Sequence, residues 1–365
     1  MDLRLNRNEF LAELLPMQGI VERRTTIPVL SHLLLTVRDD KLHLAATDLD
    51  VSLTSHCDAT VKRDGGIAVQ AKKFAEIIRA LAADEVRLLQ DDQQALTITG
   101  GSSRFKIHGL SPQDFPTLPE VGREQTVEIP FSQFRRMIAK VLFAVSTEES
   151  RFQLNGALLK FKPKALEMVA TDGHRLALVE GEVAGLGEAE GVLVPRKALQ
   201  ELQRFEGDGA VGYHRGEHHL SFRLGRRELI CRILEGTFPD YERVIAKDND
   251  KKVIFDRRQL GEAVQRVALL TGDRARSVRF HLAADRLIVS AANPDLGEAT
   301  EELPCEYRGT ELRLGINPDY LTQFLSAVET EKVRLEMKDE NTQCVGFPVD
   351  GEDQRYLCVI MPMRI

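Results

Sequence analysis

Hydrophobic and polar positions along the chain form three kinds of segment, and each kind occurs three times. Amphipathic helical patterns, with apolar residues three or four positions apart, begin near residues 7, 130 and 256. Strand patterns that end in a turn of small and polar residues follow in LHLAATDLDVSLTS, LEMVATDGHRLALVE and LIVSAANPDLGEATEE. Short apolar strands that lead into a second helix come next, in IAVQAKKFAEIIRAL, VLVPRKALQELQRF and LGINPDYLTQFLSAV.

These segments keep one order and a period of roughly 120 residues, which predicts three copies of one domain. Polar, turn-rich segments, VGREQ and AKDNDKK, separate the copies. We therefore expect domains over 1–122, 123–248 and 249–365. Alternating apolar segments such as LTVRDDKLHLAAT and HLSFRLGRRELICRILEG predict antiparallel hairpins around the helices. The expected fold class is α+β, with two helices packed on antiparallel sheets in every copy.

Composition places the chain among ordinary globular proteins, since 43% of its 365 residues are hydrophobic and 29% are charged. No window approaches the roughly 18 apolar residues of a membrane span. The first residues lack a signal peptide's apolar stretch, so we expect a cytoplasmic protein. The five cysteines are scattered and never spaced as CxxC, which favours reduced thiols. The net charge of -7 argues against bulk attraction to nucleic acid.

Basic residues stand at predicted helix starts, where the helix end is already positive and acidic residues are usual. They are Lys72 and Lys73, Arg135 and Arg136, Arg196 and Lys197, and Arg257 and Arg258. One interpretation is an ordinary solvated helix face. The other, favoured by the recurrence, is a surface that contacts a phosphate backbone. With 6% aromatic residues and no Trp, stacking on single-stranded bases is not indicated, which leaves duplex backbone contact without base reading.

The stretch ATDGHRLALVE places Asp172, Gly173, His174 and Arg175 side by side, and these residue types can act as acid, base and electrostatic clamp. The same four residues also fit a strand-to-strand turn that Asp and Gly determine. No nucleophile stands nearby in the sequence. Both interpretations stay open, although the turn is favoured by sequence mechanics.

Other candidate chemistry is sparse. The phosphate-loop, dinucleotide, zinc-protease and serine-hydrolase motifs do not occur in the sequence. The cluster HRGEHH, with His214, His218 and His219, has imidazoles for a metal but fits a hairpin loop better. We predict no cofactor and no metal. A metal-dependent hydrolase or nuclease that uses Asp172, His174 and these histidines is the rival hypothesis.

Several longer motifs, in one order along the whole chain, resemble the family of bacterial DNA sliding clamps, the beta subunits of DNA polymerase III. They are NRNEFLAEL, IPVLSHLLL, AATDLDV, LNGALL, ATDGHRLAL, VPRKAL, FPDYERV, ANPDLGEATEEL and VIMPMRI. The resemblance implies a head-to-tail homodimer whose two chains form a six-domain ring, with helices lining the hole and sheets outside. Such a ring is not an enzyme. It encircles duplex DNA without sequence specificity and slides, because contacts to the backbone carry no sequence information. A scaffold that does not encircle DNA is the remaining alternative.

The resemblance also implies a hydrophobic cleft for short peptides of the DNA polymerase III alpha subunit, the clamp loader complex, and other DNA polymerases and repair proteins. Methionine side chains adapt to different apolar anchors, and His174 and Arg175 are expected to fix polar groups of the peptide at the rim. The alternative for VIMPMRI is an edge strand whose methionines fill the core. By matching motif, the cleft residues are Leu154, Thr171, Gly173, His174, Arg175, Leu176, Pro239, Val244, Val359, Met361, Pro362 and Met363.

Two further sets of residues follow from the resemblance. The expected DNA contacts are Arg24, Lys72, Arg135, Arg136, Arg196 and Lys197. The expected dimer interface places Lys73, Phe105 and Ile107 against Leu269, Leu270, Glu298 and Glu301, as apolar packing flanked by opposite charges. The chain departs from the family pattern at Gln70, Phe152 and Gln153. The last two leave the peptide preference open.

Overall fold

The computed structural model describes residues 1–22, 26–122, 126–184, 187–272, 276–351 and 354–364. These residues form two compact units. The first unit contains Met1–Ser132 and Lys197–Ile233, and the second contains Gln133–Arg196 and Leu234–Ile365. The middle third of the chain therefore contributes to both units.

The first sequence repeat alternates strands with two helices. Short 3-10 helices cover Pro28–Ser31 and Pro112–Asp114. In chain order its other elements are β1 (Asp2–Asn6), α1 (Arg7–Ile20), β2 (His32–Arg38), β3 (Lys41–Thr47), β4 (Val51–Asp58), β5 (Thr60–Arg63), β6 (Gly65–Gln70), α2 (Ala71–Ala80), β7 (Glu85–Gln90), β8 (Ala95–Gly100) and β9 (Ser103–Leu110).

The second repeat keeps this order without a counterpart of β5 in its described residues, and adds 3-10 helices at Leu142–Ala144, Glu149–Leu154 and Tyr241–Arg243. Its elements are β10 (Val127–Pro130), α3 (Phe131–Val141), β11 (Gly156–Lys162), β12 (Ala165–Thr171), β13 (Arg175–Glu182), β14 (Ala189–Pro195), α4 (Arg196–Arg204), β15 (Ala210–Arg215), β16 (His219–Leu224) and β17 (Arg227–Arg232).

The third repeat has the same order as the second. Its elements are β18 (Lys251–Asp256), α5 (Arg257–Ala268), β19 (Val278–Ala283), β20 (Arg286–Asn293), β21 (Gly297–Pro304), β22 (Leu312–Ile316), α6 (Pro318–Ala327), β23 (Lys332–Met337), β24 (Cys344–Val349) and β25 (Arg355–Ile360).

All six predicted helices are present, each with one buried apolar face. Phe10 of α1 and Phe74 of α2 are fully buried, and their ring centroids lie 5.8 Å apart. The side chains of Asn6, Gln70 and Asp256 accept hydrogen bonds from first-turn amide groups of α1, α2 and α5. These caps satisfy donors that a helix start leaves without a partner. The unusual Gln70 thus has a structural use.

The strands form three antiparallel sheets. The first unit holds a sheet of thirteen described strands, in the order β10-β15-β16-β17-β4-β3-β2-β6-β9-β8-β7-β1-β5. The second unit holds one sheet in the order β14-β11-β12-β13-β25-β24-β23-β18 and another in the order β21-β20-β19-β22. The predicted α+β class with antiparallel hairpins is confirmed.

The long sheets arise because strands of neighbouring repeats pair with each other. In the first unit β4 of repeat one pairs with β17 of repeat two, with Leu53 opposite Leu229. In the second unit β13 of repeat two pairs with β25 of repeat three, with Leu178 opposite Leu357. Both junctions therefore join the third strand of a repeat's first sheet to the last strand of the next repeat.

The same rule leaves two strands without such a partner among the described strands. β21 is the equivalent of β4 and β13, and it pairs only with β20. β9 is the equivalent of β17 and β25, and its residues 103–108 pair only with β8. One chain thus presents one free edge of each kind.

Other predicted features of the sequence are also confirmed. The DD turn between β2 and β3 consists of Asp39 and Asp40, whose φ values of 52° and 54° suit a tight hairpin. The five cysteines are free. Burial raises the pKa of Cys57 and of Cys344 to about 12, so neither thiol is reactive at neutral pH.

No helix in the described ranges combines the length and the apolar character needed to cross a lipid bilayer.

Candidate functional site

The Asp172–Arg175 stretch is the turn between β12 and β13. Asp172 Oδ1 accepts hydrogen bonds from the amide groups of His174 and Arg175 at 2.9 and 3.0 Å. Thr171 Oγ1 donates to the Arg175 carbonyl at 2.6 Å and accepts from the Gly173 amide at 3.1 Å. Gly173 has φ +88°, which a residue with a Cβ adopts only under strain. The Asp172 carboxylate therefore bonds to the backbone of its own turn, as the turn interpretation predicts.

Arg175 does not lie at a rim, and this part of the prediction is corrected. Only 9% of the residue is exposed. Its guanidinium donates to Asp172 Oδ2 at 3.0 Å, to Gln323 Oε1 at 2.6 Å and to the Phe143 carbonyl. It also lies 4.4 Å from the ring centroid of Tyr320. Arg175 thus fixes the turn to α6, because a buried guanidinium needs its donors satisfied.

The C-terminal segment is attached to this turn. The Met361 amide donates to the His174 carbonyl at 2.9 Å, and the Met363 amide donates to the Gly315 carbonyl at 2.9 Å. The imidazole of His174 is exposed, whereas Met361, Pro362 and Met363 are half-buried. β25 pairs on both sides, so the segment does not extend an edge strand. The alternative interpretation of VIMPMRI is therefore wrong.

An apolar cluster lies beside the turn and the C-terminal segment. Three predicted cleft residues belong here, since Leu176 and Val359 are buried in the cluster and Val244 packs against it. Leu154 is buried and Pro239 is exposed, and both lie in connecting segments. The cluster, called the apolar cluster below, consists of Val169, Leu176, Leu178, Tyr241, Val345, Leu357 and Val359, with Leu158, Phe238, Val244, Ile245, Ala246 and Phe347 packed on it.

A network of hydrogen bonds around Glu167 lies beside the apolar cluster and includes Tyr241, one of its members. Tyr241 donates its hydroxyl to Glu167 Oε1 at 2.5 Å, and Lys162 Nζ donates to Glu167 Oε2 at 2.6 Å and to Glu180 at 2.5 Å. Burial opposes the charge of Lys162, but its bonds to Glu167 and Glu180 raise the pKa of Lys162. Burial and the bond to Glu167 raise the pKa of Tyr241. The network holds the 3-10 turn Tyr241–Arg243 against the sheet.

The basic residues at the helix starts differ in their surroundings. Lys72, Arg135 and Arg136 are exposed, as a surface for an anion requires. Arg196 is half-buried, and its buried Nη1 has no hydrogen-bond partner in the described part of the chain. Arg24 lies outside the described residues.

Two helix-start cations have structural partners, which the sequence did not indicate. Lys197 forms an ion pair with Asp48 and donates to the Ile20 carbonyl at 2.6 Å. Arg257 donates to the carbonyls of Leu325 and Thr330 at 3.1 and 2.9 Å. These carbonyls lie at and beyond the C-terminal end of α6, which favours a cation.

The first free edge, β9, carries two of the expected interface residues. Phe105 is 38% exposed and Ile107 is half-buried. On α2, the ammonium of Lys73 is 2.7 Å from the carboxylate of Glu76.

The second free edge, β21, and the end of α5 carry the others. Leu269 is 77% exposed, Leu270 is half-buried and Glu298 is exposed. Glu301 is held by Arg266 at 2.5 and 3.0 Å, and these bonds lower the pKa of Glu301. The Glu301 carboxylate is therefore already paired with Arg266 of its own chain and is not a free partner for Lys73.

The histidines of HRGEHH lie where β15 leads into β16. His214 is half-buried, and its Nδ1 has no hydrogen-bond partner among the described residues, whereas His218 is exposed and His219 is half-buried. Burial, followed by the nearby Arg232, lowers the pKa of His219. Within the described ranges, no group of three or more His, Cys, Asp or Glu side chains is placed to hold a metal ion.

Comparison with known proteins gives matches over the whole chain. Family models for the N-terminal, central and C-terminal domains of the DNA polymerase III beta subunit match residues 1–119, 128–240 and 242–364. The chain belongs to the DNA polymerase III beta subunit family. The beta sliding clamps of Pseudomonas aeruginosa and Pseudomonas putida are 38% and 37% identical over 372 and 374 residues, covering 100% of both chains in each case. The crystal structure of the Pseudomonas aeruginosa beta subunit superposes with a TM-score of 0.93, at 37% identity and 100% coverage of both chains.

Family membership confirms the predicted three-domain clamp fold and the predicted non-enzymatic sliding clamp function. Sequence reasoning missed several residues that pack on the apolar cluster, among them Leu158, Phe238 and Phe347. The alternation of strand residues contains the signal for Leu158, because it shares a face with Val169 and Leu178. Phe152 is 55% exposed, and its ring lies 3.3 Å from the position that a Cβ on Gly236 would occupy.

Proposed function

We propose that two copies of this chain form a closed head-to-tail ring that encircles duplex DNA and holds polymerases on it. The observation that carries the proposal is the strand pairing at the two junctions. Each junction joins the third strand of one repeat to the last strand of the next, β4 to β17 and β13 to β25. Each chain leaves one strand of each kind, β21 and β9, free for a second chain. Two chains then close six repeats with no free edge of either kind.

The chemistry of the free edges supports their pairing. β9 carries Arg104 and Lys106 beside the apolar Phe105 and Ile107, whereas β21 carries Glu298, Glu301 and Glu302. Opposite charges around an apolar centre are typical of specific interfaces. In the proposed dimer Lys73, Phe105 and Ile107 face Leu269, Leu270 and Glu298, and Glu301 contributes through its pair with Arg266.

DNA contact in the ring is assigned to the exposed helix cations Lys72, Arg135 and Arg136, with Arg196 as a fourth. Arg24 stays a prediction. Contacts to the phosphate backbone carry no sequence information, so the ring can slide. Lys197 takes part indirectly, because its charge is paired with Asp48.

The apolar cluster and the C-terminal segment are assigned to a peptide-binding cleft, formed by the twelve residues predicted from the motifs. Its partners are the DNA polymerase III alpha subunit, the clamp loader complex, and other polymerases and repair proteins. Half-buried Met361 and Met363 beside the exposed His174 support this assignment, since methionine adapts to different apolar anchors. Arg175 contributes indirectly, because it holds the turn between β12 and β13 in place. We also propose domains over 1–122, 123–248 and 249–365, and a cytoplasmic location.

Sedimentation of edge variants tests the ring. The double variant Phe105→Asp with Leu269→Asp places carboxylates in both apolar centres, and we expect it to sediment as a single folded chain at concentrations where the wild type is a dimer. Ile254→Asp is the matched control, because Ile254 is 49% exposed on β18, away from both edges. A double variant that dimerises as well as the control would contradict the strand-pairing rule.

A further inference from the structure

A basic groove lies on the first unit at the junction of β4 and β17. It has a volume of about 660 Å³, within the range of small-molecule sites. Its lining includes the apolar Leu34 and Leu118, and four arginines with one carboxylate, namely Arg38, Arg223, Arg226, Arg227 and Glu228. The name basic groove is used below for this cavity.

The basic groove occupies the place that the apolar cluster occupies in the other junction. In the second unit Leu158, Val169, Leu178 and Leu357 form one row across four paired strands. The equivalent row of the first unit is Leu34, Ala45, Thr54 and Glu228, continued by Arg223. The strands of the two junctions therefore pair in the same way, but Thr54 and Glu228 stand in the first unit where Leu178 and Leu357 stand in the second.

A second row of paired residues differs between the two junctions, and only in the second unit does it bond to a tyrosine. Glu167 and Glu180 are paired across β12 and β13, and the Tyr241 hydroxyl reaches Glu167. His43 and His56 are the equivalent pair in the first unit, with ring centroids 5.7 Å apart.

The segment FPTLPEV places Leu118 where FPDYERV has Tyr241. Leucine is shorter than tyrosine and has no hydroxyl. In the structure, His43 Nε2 is buried without a hydrogen-bond partner among the described residues. The groove therefore contains both unfilled space and an unpaired polar atom.

The charged lining of the groove retains free binding capacity. Arg38 is exposed, and no described carboxylate pairs with its guanidinium. Arg226 contacts Asp58 at 3.0 Å and Arg223 contacts Glu228 at 3.3 Å through one nitrogen each. A guanidinium has five N–H donors, so each can bind a second carboxylate. This concentration of cations stands out in a chain of net charge -7.

We propose that the basic groove is a second docking site, which binds an acidic linear segment of a partner protein. The choice of a peptide rests on the proposed function, because the equivalent position in the other junction is the peptide-binding cleft. The chemistry of the lining selects the sequence class. Carboxylates meet Arg38, Arg223, Arg226 and His43, and one apolar side chain packs between Leu34 and Leu118. A small inorganic anion would leave the apolar lining residues Leu34 and Leu118 without a partner.

Fluorescence anisotropy with a labelled peptide EELDEE tests the proposal on the full-length protein. We expect saturable binding to the wild type, and binding at least tenfold weaker to the double variant Arg38→Ala with Arg226→Ala. The matched control is Lys62→Ala with Arg63→Ala, which removes two exposed positive charges on β5 of the same unit. The isosteric peptide QQLNQQ should not bind. Leu118→Tyr, which fills the groove without changing its charge, should weaken EELDEE binding as well.

Equal affinity of EELDEE for the wild type and the groove variant would overturn the proposal, and so would no binding to the wild type. Displacement of the peptide by inorganic triphosphate at lower concentration than by unlabelled EELDEE would also overturn it, in favour of a phosphate site. A peptide of the DNA polymerase III alpha subunit serves as the second probe. Its binding should be unchanged in the groove variant, so a failure of the cleft assignment is seen separately from a failure of the groove.

Discussion

The two junctions of this chain have the same strand pairing and opposite surface chemistry. At β13 and β25 the row Leu158, Val169, Leu178 and Leu357 is apolar and belongs to the same cluster as Tyr241. At β4 and β17 the same row contains Thr54 and Glu228, and Leu118 leaves a cavity. Main-chain hydrogen bonds fix the architecture of a repeat, whereas side chains on its outer face are free to change. One repeated frame can therefore present two surfaces of different chemistry.

Deletion of residues 361–365 should produce the largest difference between the two surfaces. It removes Met361 and Met363 together with the backbone bond to His174, and we expect at least thirtyfold weaker binding of the alpha subunit peptide, about 2 kcal/mol. His174→Ala, which removes only an exposed imidazole, should have a smaller effect in the same direction. Isothermal titration calorimetry measures both. EELDEE binding should be unchanged, and the ring should remain assembled. Unchanged alpha-peptide affinity in both variants would rule out the cleft.

Removal of the Tyr241 hydroxyl makes the cleft junction resemble the groove junction. In Tyr241→Phe the buried Glu167 loses one hydrogen bond while Lys162 remains, and we expect a loss of about 1–3 kcal/mol in the free energy of unfolding. Urea unfolding at neutral pH measures it. Thr60→Ala on β5 is a control at an exposed position that should change stability by less than about 0.5 kcal/mol. An unfolding free energy for Tyr241→Phe equal to the control would mean that the hydroxyl does not support the apolar cluster.

The reverse exchange, Leu118→Tyr, makes the groove junction resemble the cleft junction. The new ring fills space beside His43, whose Nε2 has no partner in the described structure. We expect an increase of about 0.5–1.5 kcal/mol in the free energy of unfolding if the hydroxyl bonds to that atom. Leu118→Phe separates ring packing from the hydrogen bond. A tyrosine variant no more stable than the phenylalanine variant would show that the unpaired nitrogen is not accessible from this position.

The pH dependence of stability gives the smallest expected difference. Burial and, after it, the charge of Arg38 lower the pKa of His43, against the weaker charge of Asp39. Burial and then the charges of Lys41 and Arg226 lower the pKa of His56, against the weaker charges of Asp58 and Glu13. The unfolded state therefore binds more protons, and stability should fall as the pH drops below about 6.5. The variant His43→Gln with His56→Gln should lose less stability between neutral pH and pH 5 than the wild type. The same slope in both proteins would contradict these shifts.

Local sequence patterns predicted much of this fold because they report local structure. All six helices, the hairpins and the repeat follow from hydrophobic period and turn residues such as Asp39 and Asp40. The pairing of strands from different repeats could not be predicted from the hydrophobic pattern. β4 and β17 are far apart in sequence, and any two apolar strands can pair. Motif matching identified Leu176, Val244 and Val359, which belong to the apolar cluster.

The structural partners of three cations could not be predicted from the sequence. Arg175 was assigned to the cleft rim by matching motif, and Lys197 and Arg257 to a phosphate-contacting surface by their position at helix starts, yet each is held by specific partners. Sequence gives the charge of an arginine but not whether a carboxylate or a helix end lies within reach of it. Arg175 in particular is long enough to reach solvent or α6, and only the packed structure decides between them.

Retention on DNA tests the ring most directly. The protein is loaded onto nicked circular plasmid with its clamp loader and ATP, free protein is removed by gel filtration, and the plasmid is then cut once. The account predicts that the protein stays on circles and leaves after the cut, because the link is topological. The Phe105→Asp with Leu269→Asp variant should not be retained at all. Wild-type protein that stays on linear DNA as well as on circles holds it by direct contact, and that result would contradict a sliding ring.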